Sequence, residues 1–264
     1  MKRNPRKAGR DHAGFRTIVS GMTNIALAHL KGRRRPSAII AAIVWCAALG
    51  LAIGGVARGD VVLAVGALGA MVMALALPAY TRLSGIVMPA GLATGVLTFS
   101  LAAFVVGEWS GAYTWNWWWD IALHLVSAAV LALVGHALVL LVSAGAPPRT
   151  GLWIGSILAV GFAALVGAAW ELMEFSIDAI FGTNAQRSGL RDTMGDVAAN
   201  ITGAIYGAVA GQLALKRGTR LPLSGLLLDF CNSNRLIYGA WPGVPFHQTS
   251  GQPDNDVTTR METT

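Results

Sequence analysis

Six long apolar stretches, separated by short polar breaks, account for most of the chain. Crossing the hydrocarbon core of a bilayer takes about 20 apolar residues in a helix. Breaks such as Arg58-Gly59-Asp60 and Gly145-Ala146-Pro147-Pro148 do not continue a helix. The pattern therefore predicts an all-α bundle of six transmembrane helices, with spans near residues 38–57, 61–80, 85–107, 118–143, 151–174 and 193–215.

Three regions follow from this pattern: a basic segment at 1–37, a transmembrane domain at 38–215 and a tail at 216–264. Apolar residues between Phe15 and Leu30 recur at helical spacing among basic residues, as in an amphipathic helix on an anionic membrane surface. An ordered cytoplasmic helix or a loose segment is the alternative. The apolar run Leu221–Phe230 is too short to span, and the polar sequence after about Thr249 predicts disorder.

The composition supports a membrane protein and explains its charge. Only 12% of the 264 residues are charged and 54% are hydrophobic, whereas soluble domains are about 25% charged. With six spans, 17 of the 20 Lys and Arg residues fall on one side, which the positive-inside rule assigns to the cytoplasm. Both termini are therefore expected there, in the plasma (inner) membrane of a bacterium. The net charge of +7 needs no nucleic acid, and the expected partner is the lipid bilayer.

Acidic residues recur at the outward end of three spans. On the fourth span, Asp120 follows the aromatic belt Tyr113–Trp119 and precedes His124 by four residues. Positions i and i+4 share a helix face, so Asp120 is expected to accept a hydrogen bond from His124 and fix its tautomer. The alternative is a buried pair that only satisfies itself.

The fifth span ends with Glu171, Glu174 and Asp178, which share one helical stripe. Neighbouring carboxylates repel, so they need a cation, a shared proton or Arg partners. Asp178 is expected to lie in the aqueous loop, where it would only be solvated. Glu171 lies deeper in the helix and is the stronger candidate for a functional role.

The sixth span presents Asp192, Asp196 and Asn200 on one face. Asp192 has an alternative role as an N-cap. Arg187 and Arg191, in the preceding loop, are expected to cover the acidic cluster and bind substrate. Glycines then recur every four residues, which permits close helix packing, at Gly203, Gly207 and Gly211. His136 is expected to be a packing residue of the core.

These motifs carry a family resemblance over roughly residues 38–215. Asp-x-x-x-His on one span, Glu-x-x-Glu on the next and Asp-x-x-x-Asn-x-x-Gly on the last resemble the VanZ-like group of bacterial membrane proteins. The longer motifs are more similar to their YjdF-like inner-membrane relatives, a family of unknown function. These motifs are Trp119-Asp120 to His124, Glu171–Phe175 and Asp192-Thr193 with Asp196.

The resemblance identifies shared polar positions and supplies no mechanism. It implies that those positions are Asp120, His124, Glu171, Asp196 and Asn200. VanZ-like proteins usually have Gln where Glu174 stands, and an Arg before the position of Asp196 that either Arg187 or Arg191 could supply. The Glu174 difference weakens any transfer of a role in glycopeptide resistance.

Three functions are compatible with the acidic cluster. The first is an enzyme acting on a lipid-linked or cell-envelope substrate, either with a divalent metal held by His124, Glu171 and Asp196 or with His124 as a general base. Its candidate catalytic residues are Asp120, His124, Glu171, Glu174, Asp192, Asp196 and Asn200. The second is a proton-coupled transporter. The third is a structural or binding protein whose polar cluster joins helices.

Overall fold

The computed structural model describes residues 36–143 and 151–238. The predicted N-terminal surface helix, the loop containing Arg149 and the polar end of the tail lie outside these ranges. Within them the chain is helical without strands, and six helices are long and apolar enough to cross a membrane. The predicted all-α membrane bundle is confirmed. The helices are α1 Pro36–Arg58, α2 Val61–Ser84, α3 Leu92–Leu101, α4 Ala112–Trp115, α5 Trp118–Val142, α6 Leu152–Phe181, α7 Leu190–Arg217, α8 Gly225–Ser233 and α9 Arg235–Tyr238.

The third span differs from its predicted extent. Gly85 ends α2 in a left-handed conformation, and residues 85–91 form an irregular connection before α3. The span then continues beyond α3 as a π-helical segment, Ala102–Trp109. Wider π turns leave backbone groups misaligned with the helical ladder and occur often at functional sites. Here the indole of Trp119 donates a hydrogen bond to the carbonyl of Ala102, at 3.3 Å.

The spans form two groups of three helices. The first triplet comprises α1, α2 and α3 with its π-helical segment, and the second comprises α5, α6 and α7. Alanines dominate both interfaces, including Ala70 and Ala74 in the first and Ala132 and Ala163 in the second. Small side chains let helices approach closely where lipid offers no hydrophobic driving force. Larger apolar side chains such as Ile43 and Leu165 point outward, as expected of lipid-facing surfaces.

The predicted glycine stripe on α7 packs directly against α5. A Cβ added at Gly203 or Gly207 would overlap the backbone carbonyl of Leu125 or Ala129. Farther along the same interface, buried His136 donates from Nε2 to the carbonyl of Ala208, at 3.0 Å. The predicted close packing and the core role of His136 are confirmed.

The first part of the tail belongs to the folded body. Cys231 and Tyr238 are buried against Leu140 and Leu215, at the C-terminal ends of α5 and α7. The amide of Asn234 receives a hydrogen bond from the Val87 N–H and donates one to the Val87 carbonyl, both at 2.8 Å. Asn234 thus connects the tail to the α2–α3 connection and joins the two triplets at this end.

Candidate functional site

Three helix ends meet at the opposite end of the bundle from α8. Because α6 runs antiparallel to α5 and α7, the beginning of α5, the end of α6 and the beginning of α7 lie together. We call this the site end. The structure brings together His124 of α5, Glu171 of α6, and Asp196 and Asn200 of α7, as the spacing predicts.

His124 is the centre of the arrangement. Its Nε2 atom lies 3.5 Å from a carboxylate oxygen of Asp120 and 3.7 Å from one of Asp196. Its Nδ1 atom lies 3.2 Å from the side-chain oxygen of Asn200. His124 is 11% exposed at its side chain and Asp196 only 5%. Two carboxylates and one amide from two helices therefore surround a largely enclosed imidazole.

The structure pairs Nδ1 of His124 with the side-chain oxygen of Asn200, whereas Asp120, the partner expected from the sequence, faces Nε2. An amide oxygen only accepts hydrogen bonds, so Nδ1 carries the proton. A neutral imidazole then presents the lone pair of Nε2 to the oxygens of Asp120 and Asp196. Two carboxylates and a lone pair repel one another unless a positive charge, either a metal ion or a proton on Nε2, lies between them.

Gly167 makes room for this amide. A Cβ at Gly167 would lie 2.8 Å from the Nδ2 atom of Asn200. Asn200 is 4% exposed, and its Nδ2 group has no hydrogen-bond acceptor among the described residues. The close approach of α6 therefore holds Asn200 in one position beside His124.

Glu171 is buried, and the described part of the chain offers it no hydrogen-bond donor. It is 5% exposed, and neither carboxylate oxygen has a partner among the described residues. Asp196 and His124 are among the charged groups near enough to act on it. Burying a carboxylate with no donor or cation costs free energy, so a positive charge beside Glu171 would stabilise it.

The remaining predicted residues occupy the edge of the cluster. Glu174 accepts a hydrogen bond from the Trp170 indole at 2.9 Å. Asp192 lies in the first turn of α7, where Gly189 is the N-cap, so the alternative N-cap role for Asp192 is wrong. Arg191 is exposed and forms no ion pair within residues 36–143 and 151–238.

Arg187 lies at the mouth of the site with two partners that the sequence did not single out. Its guanidinium contacts Glu108 at 2.8 Å and lies over the Tyr113 ring, 4.6 Å from the centroid. Burial raises the pKa of Tyr113 well above its usual range, so the phenol stays protonated. Glu108 lies at the end of the third span, at the same membrane depth as the cluster. This position in the sequence could have identified it as a residue of the site.

Asp178 organises the loop that carries Arg187. It accepts hydrogen bonds from the Thr183 hydroxyl and from the backbone N–H groups of Ala185 and Gln186. The expectation that Asp178 is already in the loop and only solvated is wrong, since α6 continues to Phe181. Asp178 instead fixes the loop against the end of α6.

A cavity of about 300 Å³ opens beside the cluster, between the two triplets. Asp120, His124, Asn200, Glu174 and Arg187 supply polar groups to its wall. The rest of the wall is largely apolar and aromatic, as is typical of sites that bind small molecules. It includes Met73, Phe99 and Phe104.

Asp120, His124 and Asp196 have the geometry of a candidate metal site. One ligand atom from each lies within 4.8 Å of the others. Ligand atoms arranged tetrahedrally at about 2.1 Å from a zinc ion lie roughly 3.4 Å apart, close to the 3.5 and 3.7 Å separations around Nε2. The set includes Asp120 where the sequence prediction had Glu171, which lies nearby as an additional carboxylate.

Comparisons with known proteins place the chain in a family without assigning an activity. No curated protein matches it, and no solved structure does. A family model does match, over residues 36–217, which include all six spans and every residue of the cluster. The chain therefore belongs to the family described as "Predicted membrane protein (DUF2238)".

Proposed function

We propose that the protein is a membrane-embedded, metal-dependent enzyme that acts on a lipid-linked substrate of the cell envelope. The observation that carries the proposal is the convergence of Asp120, His124 and Asp196 within 4.8 Å, beside the buried Glu171, which has no hydrogen-bond partner among the described residues. The same residues line or adjoin a cavity large enough for part of a substrate.

The contacts around the acidic residues are those expected of a divalent-cation site. They differ from those of a structural cluster whose polar groups satisfy one another. Within the described part of the chain, Lys and Arg form no ion pair with Asp120, Glu171 or Asp196. Asn200 is hydrogen-bonded to Nδ1 of His124, so Nε2 is available to bind a metal ion. Metal-binding histidines usually have their other ring nitrogen hydrogen-bonded in this way. Mixed carboxylate and imidazole ligands accommodate Zn²⁺ or a harder ion such as Mn²⁺ or Mg²⁺.

Each residue has a distinct role in this proposal. A bound cation would polarise a phosphoryl or carbonyl group and acidify a water molecule. Glu171, whose oxygens lack donors, accepts a proton. Arg187 and Tyr113 bind an anionic part of the substrate at the cavity mouth, since both offer donors there.

The compartment is part of the proposal. Lys216, Arg217 and Arg220 lie at the end of the bundle opposite the site, and basic flanks favour the cytoplasmic side. The site end then faces outward from the bacterial plasma (inner) membrane. The relation to YjdF-like and VanZ-like proteins, which the motif pattern suggests, belongs to the same proposal.

Metal analysis of the detergent-purified protein tests the function. After incubation with Zn²⁺, Mn²⁺ or Mg²⁺ and removal of excess metal, we expect one equivalent of one ion in the wild type. His124→Gln and Asp196→Asn should lose it and remain monodisperse. Asp229→Asn, an exposed residue in α8, is the control and should retain it.

Four results would count against the proposal. The first is that the wild type retains no ion under any of these conditions, and the second is that both site variants retain it. Loss of folded protein in both variants would support the structural alternative. Proton flux in proteoliposomes that depends on Asp120 and Asp196 would support transport instead.

A further inference from the structure

A second cavity lies between the same two triplets, nearer the tail. Its volume is about 270 Å³, close to the 300 Å³ of the site-end cavity. We call it the tail-end cavity. Its wall is almost entirely apolar and includes Leu133, Val134 and Leu138 of α5 and Phe230 of α8.

The two cavities lie on the same faces of the same helices. Seven residues are almost two turns, so residues at this spacing share a helix face about 10.5 Å apart. On α2, Met73 lines the site-end cavity and Tyr80 the tail-end cavity. On α3 the corresponding residues are Phe99 and Leu92.

Helix α5 repeats this relationship three times. Three residues of the site-end cavity are each followed, seven positions later, by a residue of the tail-end cavity. These pairs are Leu123 and Val130, Ser127 and Val134, and Leu131 and Leu138. The two cavities are therefore parts of one seam between the triplets, polar at the site end and apolar toward the tail.

We propose that this seam binds one phosphate-bearing acyl lipid, with the phosphate at the site end and one acyl chain in the tail-end cavity. This inference rests on the proposed function, because it names the substrate class of the same site. Arg187 and the candidate cation residues suit an anionic phosphate, whereas the tail-end wall offers mainly hydrocarbon contacts.

The length of the seam favours an ordinary acyl chain. Ten residues separate His124 from Val134, which corresponds to about 15 Å along α5. Half of a hydrocarbon core of about 30 Å has the same length. A membrane phospholipid whose phosphate reaches His124 therefore brings its acyl chain to the tail-end cavity.

Two phosphatidic acids with different chain lengths test the seam. Dioleoyl phosphatidic acid and dihexanoyl phosphatidic acid are titrated into the full-length protein loaded with its metal, with native mass spectrometry as the readout. We expect the dioleoyl probe to bind at least about tenfold more tightly. If the two probes bind with equal affinity below the critical micelle concentration of the dihexanoyl probe, the proposal is overturned.

Tryptophan substitutions locate the chain. Val134 lines the tail-end cavity and is 41% exposed, whereas Val126, on the same helix, is 45% exposed and lines neither cavity. Val134→Trp should reduce binding of the dioleoyl probe about tenfold and leave the dihexanoyl probe and the metal content unchanged. Val126→Trp should alter none of these quantities.

The outcomes separate this inference from the proposed function. If the protein binds its full equivalent of metal but binds the two probes with equal affinity, only the acyl-chain site is overturned. Absence of metal with intact chain-length discrimination would overturn the metal-dependent function alone. Binding of a polyprenyl phosphate in place of dioleoyl phosphatidic acid would overturn the acyl assignment.

Discussion

Asn200 accepts a hydrogen bond from Nδ1 of His124 through its side-chain oxygen, 3.2 Å away, and so joins α5 to α7 at the centre of the candidate site. The amide determines which imidazole nitrogen is available to Asp120 and Asp196. Asn200 is therefore a positioning residue that acts on the cluster through His124.

Removing this amide should weaken metal binding. We expect Asn200→Ala to lower metal affinity about 10- to 100-fold, the usual effect of losing the partner of a metal-binding histidine. Asn200→Asp keeps an acceptor for Nδ1 and should restore most of the affinity. Chelator competition measures both variants, with Thr202→Ala, an exposed change on α7, as the control. Equal affinities in all three variants would show that Asn200 does not position His124.

A methyl group on the neighbouring helix provides an independent test of the same contact. Gly167→Ala places a Cβ 2.8 Å from Nδ2 of Asn200, so the amide must move. We expect a loss of metal affinity similar to that of Asn200→Ala. Gly161→Ala, on the same helix with no atom within 4 Å of the added Cβ, should leave affinity unchanged. The interpretation fails if both alanine variants bind metal like the wild type.

Much of the site was predictable because helical spacing and topology together determine it. Asp120 and His124, or Asp196 and Asn200, share a face on any helix, and alternating helix directions bring their ends together. The His124–Asn200 contact depends on the rotation of α7 against α5, which the spacing alone does not specify. The glycine stripe showed where α7 packs closely but not which helix it contacts.

The less predictable parts depend on irregular backbone and on cavities. The apolar pattern does not distinguish α-helical from π-helical turns, so the position of Glu108 beside Arg187 was not anticipated. Apolar residues of the run Leu221–Phe230 pack against the bundle, although the run is too short to span. The seam is a gap between two triplets. Sequence patterns predict which helix faces pack together, but they do not predict where cavities remain between them.

Glu171 should destabilise the metal-free protein. An unpartnered buried polar group costs about 1–3 kcal/mol, and more if charged. Because Glu171→Gln removes the charge and keeps the shape, it should raise the thermal midpoint in chelator. For a chain of this size each kcal/mol corresponds to roughly 2–4 °C. Glu174→Gln is the control, since Glu174 already has the Trp170 donor, and should give no increase. A lower midpoint for Glu171→Gln in chelator would mean that the carboxylate is already satisfied.

The glycine stripe should be intolerant of even one methyl group. Gly207→Ala would overlap the Ala129 carbonyl on α5, so the helices must separate. Overpacking of this kind costs about 1–3 kcal/mol, and thermal unfolding in detergent should show it. Gly195→Ala, also within α7, meets no atom within 4 Å and should unfold near the wild-type temperature. Equal midpoints for the two variants would contradict the close α5–α7 packing.

Asp60 should make stability depend on pH at the site end of the first triplet. Its carboxylate caps α2 by accepting from the Leu63 N–H at 3.0 Å, and it also accepts from the Trp109 indole at 2.6 Å. The Leu63 and Trp109 hydrogen bonds lower the pKa of Asp60 below its usual value of 3.8.

A lowered folded-state pKa sets the sign of this effect. The unfolded chain takes up the proton first, so the carboxylate stabilises the fold above about pH 4 and loses this effect as pH falls through the folded pKa. Asp60→Asn keeps a capping oxygen but cannot titrate. Its midpoint should therefore lie below that of the wild type at neutral pH and converge with it in acid, as measured by thermal unfolding across pH. A difference that stays constant from neutral to acidic pH would show that the charge of Asp60 does not contribute.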